Sequence, residues 1–434
     1  MNILWCERRN FRYWFFCTGC FMWLLLFVAL LNVTDLLLIG QMATVHLSVM
    51  AALLLVRSFC ARNPLYFIFF SFISLYVLPA KLFFFDGLYF SAYHQTFSYY
   101  TAGYTTLIFS LFLLFVNLFL IIPQGTTKQI RFRKNNCIFW ILYIIAFIIV
   151  CMCRRKGNMY GGEEDGGLST LNEYVIILFL ICFIYSSNEK LKNRALYFLY
   201  ALYAFFAIIT GGRIELVLLF FLLLATVLQY KFSFKFLFLC FLFGVWGMTL
   251  FGKIRHDPVI LLQQDIISII FDNRAVDLGM QTSNEGDVYW ASERLLCLIE
   301  DGNFNFFSRI EAAVCYFLSP LAPSSYFPET ANLSTYRRDL MDTGGGNLAP
   351  VNFFVMFGFL GTVFLGYFVS RMLNMLSKDN CNLPKIYILL MVITVSRWFA
   401  YNPIQLVKLC VWGIVCYYLV ISVDYTVKKY RQNC

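Results

Sequence analysis

Long apolar runs, separated by short polar segments, recur along almost the whole chain. Each run stays apolar for roughly 15 to 22 residues, and about 20 helical residues cross the hydrocarbon of a bilayer. Strands of a membrane barrel would instead alternate over about ten residues. The pattern therefore predicts about twelve transmembrane helices. They are expected at 13–33, 35–56, 64–84, 104–123, 137–153, 174–188, 195–210, 214–229, 236–251, 349–370, 386–400 and 404–424.

The composition points to the same class of protein. Of the 434 residues, 60% are hydrophobic and 13% are charged, whereas soluble domains carry about 25% charged residues. The fold class predicted is therefore an all-α integral membrane protein. The first run follows Arg8, Arg9 and Arg12 and is too long for the core of a signal peptide, so we interpret it as a retained signal anchor.

The distribution of basic residues predicts the orientation in the membrane. With the N-terminus inside, the short inward segments collect about 20 of the 34 Lys and Arg, as the positive-inside rule requires. Both termini are then cytoplasmic, and the net charge of +10 reflects topology rather than binding to nucleic acid. The predicted organisation is nine transmembrane helices in 1–251, a large outward-facing (extracytoplasmic) loop domain in 252–347, and three transmembrane helices in 348–434.

Two shorter outward segments carry candidate ligand-binding residues. Segment 85–103 is rich in Tyr and Phe, which anchor membrane interfaces and also stack on sugars. In segment 154–173, Arg154, Arg155 and Lys156 violate the positive-inside pattern, so either an anionic ligand or the nearby acidic residues must offset them. Those acidic residues are Glu163, Glu164 and Asp165. They are more typical of a solvated turn than of a metal site.

The segment from 252 to 347 is too long to be a simple connection between two helices. Within it, "VILLQQDIISIIF" and "RIEAAVCYFL" are typical of amphipathic or buried helices on the membrane surface. The second of these helices is followed by a rigid non-helical passage, which is indicated by Pro320, Pro323 and Pro328.

Nearly all of the 15 cysteines lie in apolar runs or cytoplasmic loops, and no His/Cys cluster has zinc spacing. Neither a disulfide framework nor a metal site is predicted.

An arginine stands where the seventh and eighth apolar runs meet, in "TGGRIELVLLF". An arginine at bilayer depth costs about 2.5–3.5 kcal/mol, less where it can extend to the interface. Arg213 is therefore either an anchor paired with Glu215 or part of a site for an anion, approached closely across Gly211 and Gly212. Arg397 repeats the arrangement at the outward end of the eleventh run. A lipid diphosphate is an anion that lies at this depth.

These features resemble the O-antigen polymerase (Wzy-type) family. The resemblance rests on the number of spans, the Gly-Gly-Arg junction at 211–213, one long outward loop, and "GGGNLAPVNFFVMFGFLGTVFLG" with Gly358, Gly361 and Gly366. The related O-antigen ligases place a catalytic histidine a fixed distance before the first of these glycines. The corresponding position here is Asn347, followed by Leu348, so the polymerase is favoured over the ligase.

The resemblance implies a GT-C-like glycosyltransferase in the inner membrane of a bacterium. Such an enzyme transfers a growing glycan from undecaprenyl diphosphate to a new lipid-linked repeat unit of O-antigen, capsule or exopolysaccharide, without a nucleotide sugar, metal or other cofactor. Implied partners are a chain-length regulator (Wzz-type) and a flippase (Wzx-type). Fixed arginines would stabilise the leaving diphosphate, and the candidates are Arg154, Arg155, Arg213, Arg255, Arg274 and Arg397. The acceptor hydroxyl needs a base, for which the candidates are Glu215, His256 and Asp257.

Three other interpretations stay open. A ligase-like transferase would share the architecture. A flippase of lipid-linked oligosaccharides also has about twelve spans and a cationic cavity, but such transporters favour two similar halves. The spans here divide nine before and three after the long loop, and no internal repeat is evident. A non-catalytic assembly partner would not explain arginines at several outward helix ends.

Overall fold

The structure is a computed structural model that describes most, but not all, of the chain. The described residues are 9–32, 35–87, 98–127, 130–152, 170–209, 212–256, 284–302, 304–322, 346–376 and 382–433, with a few residues between 326 and 336. Within these ranges the regular structure is entirely helical. The described residues therefore agree with the all-α class predicted from the sequence.

The helices follow the predicted apolar runs, and each predicted run coincides with one helix or with two successive helices. The helices are α1 Arg9–Asn32, α2 Leu36–Cys60, α3 Pro64–Leu75, α4 Leu78–Asp86, α5 Tyr99–Phe119, α6 Asn136–Met152, α7 Thr170–Tyr185, α8 Lys190–Ile209, α9 Arg213–Leu223, α10 Phe234–His256, α11 Asn284–Glu300, α12 Phe306–Leu318, α13 Ala349–Phe357, α14 Phe359–Leu376, α15 Asn382–Ile393, α16 Val395–Ala400 and α17 Gln405–Asn433. A π-helical turn, Leu224–Leu228, and the short helix Gln229–Lys231 extend α9.

Six helices of the described chain are long and apolar enough to cross a membrane. They are Leu36–Cys60, Pro64–Asp86, Tyr99–Phe119, Ile214–Lys231, Phe359–Leu376 and Gln405–Lys429. Other apolar helices, among them Asn136–Met152 and Phe234–Gly247, are shorter. The chain thus has the helices of an integral membrane protein, and the total of twelve spans stays a prediction.

Two of the predicted spans are interrupted for identifiable reasons. Between α3 and α4, Pro79 has no N–H to donate to the carbonyl of Leu75, so the helix ends there and a new one begins. Between α13 and α14, Gly358 has φ +66° and ψ −157°, a conformation that ends the first helix. The predicted tenth span, 349–370, is therefore a buried helix, α13, followed by a longer apolar helix, α14.

The chain divides into two compact units. The first contains Met1–Gly125, Arg274–Lys378 and Arg397–Val407, and the second contains Thr126–Asn273, Asp379–Ser396 and Lys408–Cys434. Each unit combines segments distant in sequence. The predicted division at 251 and 347 follows the chain and stays a prediction.

Helix α5 lies at the centre of the first unit, where α1, α2, α11, α13 and α14 pack against it. Hydrogen bonds to its backbone hold several neighbours in place. The Trp23 indole donates to the Leu107 carbonyl at 2.8 Å, and the Arg57 guanidinium donates to the carbonyls of Asn117 and Leu120 at 2.7 and 2.6 Å. Both of the carbonyls that Arg57 binds stand at the C-terminal end of α5, so Arg57 acts as a cap of this helix.

In the second unit, α6 packs against α7, and α9 packs against α8, α7 and α15. The unit contains a buried carboxylate, Asp424, on α17. Its Oδ1 accepts from the Asn135 amide at 2.7 Å, and its Oδ2 accepts from the Lys428 ammonium at 2.9 Å, with the Arg133 guanidinium 3.8 Å away. Because both oxygens have donors and two cations balance the charge, this group is a structural link between α17 and the residues that precede α6.

Candidate functional site

The predicted site residues differ in how much the structure says of them. Arg154, Arg155, Asp257 and Arg274 lie outside the described residues. Helix α9 begins at Arg213, and α10 ends with Arg255 and His256, but only the backbone of these three is described. The structure describes the side chains of Glu215, Asn347 and Arg397 and the backbone of Gly358. At these four positions the sequence predictions can be compared with the structure.

Glu215 is buried in the first turn of α9. Its carboxylate folds back over Gly212, the residue before the helix, so closely that a Cβ on Gly212 would stand 2.6 Å from Glu215 Oε2. Unpaired N–H groups and the positive end of the helix dipole favour a carboxylate at this position. Glu215 therefore lies close to the start of α9, where a carboxylate is favoured, and its role as a catalytic base stays a prediction.

Replacing Gly212 by alanine is expected to destabilise the protein by about 1–2 kcal/mol, because the new methyl group pushes the Glu215 carboxylate away from the start of α9. Thermal unfolding in detergent would measure the loss. Gly247→Ala is the control, since no atom lies within 4 Å of a Cβ at that position. If the contact is the cause, Gly212→Ala costs little when Glu215→Ala is already present; full additivity of the two losses would contradict it.

A second buried carboxylate, Glu293, lies on α11 where this helix packs against α5. Its Oε1 accepts a hydrogen bond from the Thr101 hydroxyl in the first turn of α5. The Cys297 thiol, one turn along α11, lies 3.7 Å from the same oxygen. The Arg294 guanidinium lies 3.5 Å from Oε2, and Oε2 accepts no hydrogen bond from the described residues. Glu293 is thus less completely paired than Asp424.

The residues around Glu293 form what we call the polar cluster: Thr101, Thr105 and Thr106 on α5, with Tyr289, Ser292 and Glu293 on α11. All six are buried. The Tyr289 hydroxyl donates to the Ala102 carbonyl at 2.9 Å and lies 2.7 Å from the Thr106 hydroxyl. The Thr105 hydroxyl has no hydrogen-bond partner among the described residues. Incompletely satisfied buried groups of this kind indicate a place where a polar ligand or water fits.

The local sequence explains why these residues meet. Ser98 caps α5, accepting from the amides of Tyr100 and Thr101, so the helix starts immediately before its threonines. On α11, Tyr289, Glu293 and Cys297 are each four residues apart and share one face of the helix. The acidic first turn of α11, with Glu285 and Asp287, suits the positive end of the helix.

Two of the predicted residues belong to the same region of the first unit. The Leu348 amide donates to the Ser292 hydroxyl at 2.7 Å, which ties the start of α13 to α11, and the side-chain amide of Asn347 donates to Asn352 of α13 at 3.1 Å. A Cβ on Gly346 would stand 2.7 Å from the carbonyl of Ala400 and 3.1 Å from Val288, so the end of α16 lies here too. Helix α16 carries Arg397, one turn before Ala400.

Burial determines the electrostatics of the polar cluster. It raises the pKa of the Glu293 carboxyl above its ordinary value, and the Thr101 hydroxyl and the Arg294 guanidinium offset only part of this effect. Burial also raises the pKa of the Cys297 thiol to about 12, with the nearby Glu293 adding to the shift, so this thiol stays protonated at neutral pH. A carboxylate with a raised pKa holds a proton more firmly than an exposed one and is a better base.

Glu293 is not among the site residues predicted from the sequence. One signal was present: in "VYWASERLLCLIE", Glu293 stands four residues after Tyr289 and three before Leu296, on the apolar face of the predicted helix. A charged residue on such a face needs a partner in the interior. The partner itself, Thr101, is 192 residues away and carries no local signal.

No group of three or more His, Cys, Asp or Glu side chains placed to hold a metal ion occurs in the part of the chain that the structure describes. The acidic trio Glu163, Glu164 and Asp165 lies outside that part.

No protein-family model matches the chain, and neither a curated protein nor a solved structure matches it at a significant level.

Proposed function

We propose that the chain is a membrane glycosyltransferase that joins lipid-diphosphate-linked oligosaccharide repeat units, a polysaccharide polymerase of the Wzy type. The fold expected for it is GT-C-like, and the location is the outer face of a bacterial inner membrane. Resemblance in sequence supports the family. The observation that supports the proposal further is Glu293, a buried carboxylate with a raised pKa on α11, which pairs with Thr101 in the first turn of the apolar helix α5.

Glu293 suits the role of general base in this reaction. The acceptor hydroxyl attacks the anomeric carbon of the donor sugar, a new C–O bond forms, and the bond from that carbon to the diphosphate oxygen breaks. The hydroxyl proton passes to Glu293, and the electron pair of the broken bond leaves with the lipid diphosphate. Oε2, which accepts no hydrogen bond from the described residues, is the atom available to take the proton.

The polar cluster also suits a sugar acceptor. The unpaired hydroxyl of Thr105 offers a donor and an acceptor one helical turn from Thr101, the partner of the carboxylate. A buried, polar surface of this kind binds the hydroxyl groups of a sugar while excluding bulk water, which would otherwise compete as the acceptor.

The leaving diphosphate needs positive charge where it develops. Arg397 is on α16, whose end contacts Gly346 beside Asn347. Arg397 is therefore our first choice for a residue that binds the diphosphate, while Arg154, Arg155, Arg213, Arg255 and Arg274 stay candidates from the sequence. A flippase (Wzx-type) would supply the lipid-linked units, and a chain-length regulator (Wzz-type) would limit the polymer.

The decisive experiment is a polysaccharide ladder on a gel from a strain that lacks the gene. We expect the deletion to leave products with a single repeat unit, and the wild-type gene to restore the ladder. Arg213→Ala and Arg397→Ala, at matched protein level, are expected to fail, whereas Arg371→Ala, at an exposed and predicted cytoplasmic position, should restore it. Loss of even the single-repeat product in the deletion would instead indicate a ligase or a flippase.

A further inference from the structure

Helix α12 carries an apolar surface that stays largely exposed among the residues that the structure describes. We define the α12 stripe as its exposed apolar side chains, which are Phe306, Phe307, Ile310, Val314, Phe317 and Leu318. At 3.6 residues per turn these six positions occupy one continuous arc of about a third of the helix circumference. The opposite side of the helix, with Ala312, Ala313, Cys315 and Tyr316, is buried. An exposed, continuous apolar arc of this size marks a surface for a partner or a membrane.

Helix α12 is firmly attached to the rest of the first unit by its other side. The Arg309 guanidinium donates to the carbonyls of Val355 and Phe354 at 2.6 and 3.3 Å, at the end of α13. The Tyr316 hydroxyl donates to the Pro403 carbonyl at 3.0 Å, and its ring lies 5.4 Å from that of Phe353, edge to face. These contacts fix the direction in which the α12 stripe points.

The α12 stripe continues into the exposed side of a helix that can cross the membrane. The ring of Phe317 lies 6.2 Å from the ring of Phe357, the last residue of α13. Helix α14 starts two residues later, and its exposed apolar residues Leu360, Phe364 and Tyr367 lie three or four positions apart, on one side. In a spanning helix, such a side faces lipid.

We propose that α12 lies in the membrane interface, with the α12 stripe inserted among the acyl chains of the leaflet next to the N-terminal end of α14. Three observations support lipid as the occupant rather than a protein. The stripe has no charged residue within its arc, it is continuous with the exposed side of α14, and Tyr326, an aromatic residue 80% exposed, lies close by in the sequence, as is usual at a membrane interface.

Under the proposed function, on which this step rests, insertion of the α12 stripe also sets the depth of the polar cluster in the membrane. Only residues 301–305 separate α11 from α12. With α12 held in the interface, α11 and Glu293 are held at a constant depth, level with the start of α5. A lipid-linked substrate keeps its diphosphate at a similar depth, because its tail stays in the hydrocarbon. The α12 stripe would thus match the depth of the base to that of the substrate.

Photo-crosslinking of the full chain tests the insertion directly. Phe307, 79% exposed, is replaced by p-benzoylphenylalanine, and the protein is reconstituted in vesicles of phosphatidylethanolamine and phosphatidylglycerol. The same replacement at Leu360, 80% exposed on α14, is the positive control. Glu311 is the negative control, because its carboxylate accepts from the Thr330 hydroxyl at 2.5 Å, beside the α12 stripe but outside it. After illumination, mass spectrometry identifies the adducts.

We expect a phospholipid adduct at position 307 comparable in yield to that at position 360, and none above background at 311. The proposal is overturned if position 307 gives a crosslink to a second copy of the chain, a crosslink to another protein in intact cells, or no adduct while position 360 reacts. None of these results depends on catalysis. If the wild-type gene fails to restore the polysaccharide ladder in the deletion strain while the lipid adduct forms, the proposed function is contradicted and the membrane insertion is still supported.

Discussion

Replacing Glu293 by glutamine is expected to slow polymer formation by about 10²–10⁴-fold, the usual contribution of a general base. Glutamine has nearly the same shape and keeps an oxygen that accepts from the Thr101 hydroxyl, so the contact between α11 and α5 survives. What is lost is the ability to take the proton of the acceptor hydroxyl. The rate of chain elongation on a purified lipid-linked substrate measures the loss, and thermal unfolding in detergent shows whether the variant is folded.

Glu300→Gln is the matched control, because it makes the same change on the same helix at an exposed position. It is expected to leave the rate unchanged. Should Glu293→Gln be folded and active, the carboxylate is only a link between α11 and α5. Should it unfold, Thr101→Ala separates the two roles, since that variant removes the hydrogen bond and keeps the base.

The pH dependence of the rate gives an independent check on Glu293. The proposed reaction needs the deprotonated carboxylate, and burial raises the pKa of this group, so activity is expected to fall as the pH drops through that raised pKa. Thr101→Ala removes a hydrogen bond that favours the charged form. It should therefore move the acid limb of the pH profile to higher pH. Glu300→Gln should leave the limb in place.

Replacing Gly361 by alanine is expected to destabilise the protein by about 3 kcal/mol or more, the upper end of the cost of overpacking. A Cβ at this position would stand 2.2 Å from the Phe353 carbonyl oxygen and 2.8 Å from the Phe357 Cβ. The first of these is a backbone atom of α13. It cannot move away without shifting the whole helix, and α13 in turn holds α11 and α12 through Ser292 and Arg309.

Gly244→Ala is the control for this prediction. Gly244 is also a glycine within an apolar helix, but no atom lies within 4 Å of a Cβ there, so alanine should be neutral or stabilising by about 0.5–1 kcal/mol. Thermal unfolding in detergent, followed by tryptophan fluorescence, compares the two variants. If the Gly361→Ala and Gly244→Ala variants are equally stable, α13 and α14 can separate at Gly358 without loss of stability. That result would contradict the close packing of Gly361 against Phe353.

The class of the protein and the positions of its helices were predictable from the sequence. Inside a bilayer each backbone N–H and C=O must be paired within its own helix, so the length of an apolar run is by itself enough to predict a helix. Every predicted run from 13–33 to 404–424 coincides with helical structure. The breaks at Pro79 and Gly358 were not predicted, although proline and glycine are residues that interrupt helices.

The candidate site could be predicted only in part. Arg397, Asn347 and Glu215 were recognised because an arginine or a carboxylate among apolar residues is conspicuous in any sequence. Glu293 was not recognised, because its pairing depends on Thr101, which lies 192 residues away in the sequence and is brought to it by the fold. Burial, which raises its pKa, is likewise a property of the packed helices and not of the local sequence.

The sequence by itself therefore determined the helical class and the apolar helices of this protein, because the length of an apolar run acts locally; its orientation and its family resemblance stay predictions. The tertiary structure alone decided which side of α12 is exposed and that α5 and α11 enclose a carboxylate. The physical reason is that helix formation uses hydrogen bonds between near neighbours, whereas burial and pairing of side chains depend on contacts between distant segments.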